Sequence, residues 1–130
     1  MSGNARVQQL FQAARWFDPR WRGVGTWAFI LNRLSGIGLT LYLFLHLIVL
    51  GTLGRGPAAY DQFIALARSP VLVAGELLVV VGGLYHGLNG LRVALTSFGI
   101  GVARQRTLFY GLLALVVLGG LAFALRMFAL

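Results

Sequence analysis

Val81-Gly-Gly-Leu-Tyr-His-Gly-Leu-Asn-Gly-Leu-Arg92 sets one histidine inside an apolar run of helix length, with glycines around it and an arginine closing it. The run it belongs to, 70–98, has Glu76 as its only carboxylate and exceeds the ~20 helical residues needed to cross a ~30 Å hydrocarbon core. Two further runs of spanning length occupy 28–53 and 107–129. With 58% hydrophobic and 11% charged residues and a mean hydropathy of +0.82, the chain has too few polar side chains to cover a soluble globule. The fold expected is an all-α membrane protein: three transmembrane helices in an up-down-up bundle over 28–130, preceded by an interfacial segment over 1–27. In that segment Val7, Leu10, Phe11, Ala14 and Phe17 recur at helical spacing, the mark of an amphipathic helix. Trp16, Trp21 and Trp27 suit the headgroup zone. The first run is too long for a cleaved leader and follows mostly polar residues, so it reads as a span. No room remains for a soluble catalytic domain, so chemistry on a water-borne substrate falls to another chain.

All 11 basic residues are arginines, set against Asp18, Asp61 and Glu76, for a net charge of +8. Because they cluster at the ends of apolar runs, anionic membrane lipid is the expected partner rather than nucleic acid. Arg6, Arg15, Arg20, Arg22, Arg104 and Arg106 fall on one side and Arg55, Arg68 and Arg126 on the other, which favours a cytoplasmic N-terminus and an outside C-terminus. The absence of cysteine excludes thiolate-held iron–sulfur clusters and thioether-attached haem.

On a helix of ~3.6 residues per turn, Gly83 and Gly90 lie one turn either side of His86, and Gly87 follows it directly. That face is nearly bare backbone around one imidazole, the clearance that a flat, rigid ligand such as haem b needs. Gly83 and Gly87 also fit close helix packing without any ligand. In the first span Ser35, Leu39, Tyr42 and His46 form one stripe, and an imidazole in hydrocarbon calls for a partner. Arg33 is a candidate cation for a haem propionate or a quinone carbonyl, or else snorkels to the headgroups. Glu76, two turns into the second span, is a candidate for proton handling. The third span carries no ionisable group before Arg126 and reads as a packing element.

If Arg33 and Arg92 mark one membrane boundary, His46 lies ~20 Å and His86 ~9 Å below it, a difference of about 10 Å. Two axial ligands of one iron sit only ~4 Å apart, given metal–nitrogen bonds of about 2 Å. Each histidine is therefore expected to ligate its own haem. With no third histidine, the remaining ligands must come from a second membrane subunit. Two stacked haems would carry electrons across the bilayer, and quinone is the natural acceptor.

Arg33-Leu-Ser-Gly36 and His86-x-x-x-Gly90-x-Arg92 also resemble the cytochrome b membrane-anchor (C) subunit of succinate dehydrogenase, from about Trp27 to the end of the chain. The resemblance implies a non-flavin subunit of an enzyme in the cytoplasmic membrane of a prokaryote, paired with a second anchor subunit. It implies an iron–sulfur subunit and a flavoprotein subunit docked on the cytoplasmic side, with succinate oxidised in the latter. By the same resemblance His86 ligates the haem nearer the cytoplasm, and Arg33 and Ser35 lie near quinone and propionate. Tyr42 and Arg92 are further candidates for those contacts, and a histidine at position 46 matches the two-haem members. The sequence departs from the pattern at Asn32, where many members have histidine, at Val93 and at Ser97. Rival expectations are a quinol:fumarate reductase anchor, a haem-free packing or assembly subunit, and a small transporter.

Overall fold

Ser69-Pro70 shows how directly the spans follow from local chemistry. Pro70 sits at the first helical position, where its missing N–H leaves nothing unpaired. Ser69 is the N-cap, with extended backbone, and its carbonyl accepts the Val73 N–H at 3.0 Å; its hydroxyl makes no capping bond. The computed structural model describes residues 23–129. It contains α1 (Val24–Gly51), α2 (Pro57–Ala67), α3 (Pro70–Ser97) and α4 (Gln105–Phe128), with single 3₁₀ turns at Thr52–Arg55 and Val102–Arg104. The helices α1, α3 and α4 are each long and apolar enough to cross a membrane. They agree with the three expected spans to within a few residues. The amphipathic helix expected over 7–17 lies outside the described residues.

The connection between the first two spans contains the short helix α2. Gly56, at φ 102°, breaks the preceding turn, and Pro57 starts a helix of Ala-rich sequence. The α3–α4 turn is tight. Gly101 adopts φ 75°, where a side chain would be strained, and a Cβ there would also push Leu108 Cδ1, 2.6 Å away, aside.

The buried core joins Ala28 of α1 and Tyr85 of α3 to Phe109, Leu112 and Val116 of α4. One stripe of the third span thus fills the core. Close approach comes from Gly119 and Gly120, whose Cβ atoms would lie 3.0 Å from Leu84 Cδ1 and 3.0 Å from Val81 Cγ2. In a bilayer, where lipid is as apolar as leucine, such van der Waals contact holds helices together. In contrast, every residue of α1 from Leu41 to Ile48 is exposed. None of these side chains is buried by the described chain.

Candidate functional site

Where α1 crosses α3, two α1 carbonyls one turn apart accept hydrogen bonds from neighbouring α3 side chains. Tyr85 Oη donates to Ala28 O at 3.0 Å, and His86 Nδ1 lies 3.2 Å from Asn32 O. A carbonyl only accepts, so Nδ1 carries the proton. Ser35 Oγ, 3.3 Å from the same nitrogen, donates its own hydrogen to Asn32 O at 3.0 Å. With Nδ1 protonated, the lone pair of the neutral ring is on Nε2, the arrangement in which a metal-ligating histidine is normally held.

Gly36 makes this approach possible. A Cβ there would stand 3.1 Å from His86 Cε1 and 3.5 Å from Nδ1. The glycines singled out from sequence behave differently. Gly83 rests against Leu39, its Cβ position 3.9 Å from Cδ2, while Gly87 and Gly90 have open space at theirs. Clearance around the ring therefore comes from α1, and two of the three α3 glycines leave the helix surface bare.

His86 lines a cleft of about 710 Å³ with Asn32, Arg33, Gly36, Ile37, Thr40, Leu41 and Phe44. Its wall is mostly apolar, with polar groups toward the Asn32 end. The Arg33 guanidinium sits over the Phe29 ring, 4.6 Å from its centroid, and so bends toward the helix start. Arg92 is outside the cleft. Its Nε donates to Asn89 Oδ1 at 3.0 Å, and its guanidinium lies 5.6 Å from the Phe109 centroid on α4.

Tyr42 and His46 stack one turn apart, ring centroids 5.7 Å apart at 30°, and both are exposed. Glu76 is likewise exposed. The hydrogen bonds at Asn32 and Ser35 set His86 level with about residues 35–36 of α1, so His46 is displaced from it by ~15 Å along the axis. The offset exceeds the ~10 Å drawn from sequence because Arg33 and Arg92 are not level: Asn89 rather than Arg92 faces residue 32, a shift of about three residues or ~5 Å. The same register brings Glu76 level with His46. Among the described residues no three His, Cys, Asp or Glu side chains converge on a metal position.

Asn89, which the sequence pattern assigned no role, is the most completely buried polar side chain among the described residues, at 1% exposure. Its Nδ2 donates to Asn32 Oδ1 at 3.0 Å. The signal was present, since an amide within a span must find a partner, and Asn32 is the amide on the facing span.

Residues 15–125 match the succinate dehydrogenase/fumarate reductase transmembrane subunit family, which accounts for most of the chain. The chain belongs to that family. It is 34% identical over 102 residues to the succinate dehydrogenase hydrophobic membrane anchor subunit of Halobacterium salinarum, covering 74% of this chain and 76% of that one. It is 32% identical over 74 residues to the succinate dehydrogenase 2 membrane subunit SdhC of Mycobacterium tuberculosis, covering 57% of this chain. The chain spans 54% of the length of that mycobacterial relative. A membrane subunit of this family is part of a larger complex.

Proposed function

We propose that this chain anchors a succinate:quinone oxidoreductase and carries b haem at its interface with a second anchor subunit. The observation that carries the reading is the His86 ring, with Nδ1 tied to the Asn32 carbonyl, lining a cleft that Arg33 also lines. The residues fit a haem: one imidazole with a fixed tautomer, an apolar wall, and a cation at one end for a propionate. Haem b, when bound, supplies one-electron chemistry that an apolar helix bundle lacks. The protein's share is to hold the ligand nitrogen, exclude water with Ile37, Leu41 and Phe44, and set nearby charge with Arg33.

His46 is the candidate ligand of a second haem nearer the outer face. Its axial offset of ~15 Å from His86 is far larger than one iron can bridge. The exposed half of α1, Leu41 to Ile48, is the surface on which the second anchor subunit would complete that site. Ser35 and Tyr42 are candidate quinone or propionate contacts, whereas Arg92, a further candidate by resemblance, is engaged with Asn89 and Phe109 outside the cleft. The iron–sulfur and flavoprotein subunits are assigned to the arginine-rich side, which is taken as cytoplasmic in a prokaryotic inner membrane. The family description also covers fumarate reduction, in which electrons run the other way.

The test is the reduced-minus-oxidised absorption spectrum of the purified complex, with pyridine haemochrome content per flavin. Two b haems per flavin are expected. Absence of b-type bands would refute the reading.

A further inference from the structure

Asn32 is gripped by α3 at two points. Its main-chain carbonyl takes the His86 ring at 3.2 Å, and its side-chain oxygen takes Asn89 Nδ2 at 3.0 Å. Asn89 and His86 are three residues apart and so share a face of α3. The other end of the Asn89 amide accepts from Arg92 Nε at 3.0 Å, and Arg92 in turn lies over Phe109 of α4. One buried amide therefore links the three spanning helices beside the imidazole.

We propose that Asn89 is a positioning residue for His86: the Arg92–Asn89–Asn32 relay fixes the rotation of α1 against α3 and thereby holds the imidazole as its Nδ1–H tautomer. The histidine bond alone is a weak restraint, because 3.2 Å is already at the long end for N–H···O and a few tenths of an ångström more would lose it. Its acceptor is also shared with the Ser35 hydroxyl. The Asn32–Asn89 bond is shorter, and its Asn89 side is fully buried, so it sets the geometry that the longer bond follows. Position 32, where the family pattern often carries histidine, is thus matched by an asparagine one helix away. The functional meaning of this relay rests on the haem reading above; the tautomer does not.

The test uses the full chain labelled with ¹⁵N-histidine in lipid bilayers. Only two histidines are present, and a His46→Ala background isolates His86. Solid-state NMR of the parent should show protonated Nδ1 and unprotonated Nε2. Asn89→Ala should raise the Nε2–H share about threefold, the effect of losing one typical hydrogen bond between membrane helices. Asn32→Ala, which keeps the carbonyl but cuts the relay, should do the same and serves as the second variant where the first fails to fold. Asn89→Asp should restore the parent signal, because the Asn32 amide can turn to donate and Arg92 keeps its acceptor. Parent-like spectra in the folded alanine variants, or no recovery in Asn89→Asp, would overturn the proposal. In the intact complex the ferric haem resonance of the His86 site should broaden in Asn89→Ala and sharpen again in Asn89→Asp. A complex without b-type bands would remove the haem reading and leave the tautomer result to decide the relay.

Discussion

Replacing Gly36 by alanine puts a methyl carbon 3.1 Å from Cε1 and 3.5 Å from Nδ1 of His86. Carbon atoms in good contact lie ~3.5–4.0 Å apart, so the ring must retreat by roughly 0.4 Å or more. Its bond to Asn32 O starts at 3.2 Å and would then pass about 3.5 Å, where it no longer counts as a hydrogen bond. Overpacking of this kind costs ~1–3 kcal/mol, and alanine recovers up to ~1 kcal/mol of helix propensity, which leaves a net cost of roughly 0–2 kcal/mol in fold stability. The haem site should weaken as well, because losing the group that orients a metal-ligating histidine typically costs about 10- to 100-fold in affinity. The assay is pyridine haemochrome per flavin in the purified complex, followed through dilution or competition with apo-myoglobin. Gly36→Ala should lose the His86 haem first and keep the other. Gly38→Ala, with nothing within 4 Å of its Cβ, is the matched control and should behave as the parent. Full haem retention with an unshifted spectrum in Gly36→Ala would show that the His86 ring is not where haem is held.

Direct removal of the ligands gives complementary outcomes. His46→Ala should remove one b haem per flavin and leave the other, and retention of both would end the two-haem assignment. His86→Ala should abolish the haem nearer the iron–sulfur side, read as loss of its redox midpoint in a potentiometric titration. Gly120→Val drives a branched side chain toward Val81 Cγ2, already 3.0 Å from the Cβ position, and should lower the thermal midpoint of the complex through a cost of about 1–3 kcal/mol. Gly111→Ala, which meets nothing within 4 Å, should not. A proton-handling role for Glu76 predicts that Glu76→Gln slows succinate:quinone turnover, and unchanged turnover removes that role.

The spans could be read from sequence to within a few residues because in a bilayer the hydrophobic run itself sets the element length. The short helix α2 was missed, since eleven residues between two spans carry no comparable signal. The candidate site was read only in part. His86, Ser35 and Arg33 do come together, around the crossing of α1 and α3, whereas Arg92 turns away to Asn89 and Phe109. Glycines near His86 drew attention because they are its neighbours in sequence, but the glycine its ring touches is on the facing helix.

By itself the sequence determined the membrane class, the three spans and the two imidazoles, because composition and run length decide how a chain partitions into lipid. Helix register was decided only by tertiary structure. Arginines at two span ends give no measure of axial offset between helices, whereas a hydrogen bond from His86 to Asn32 does. That register converts a depth difference of about 10 Å into ~15 Å. It also makes Asn89 the buried link beside His86.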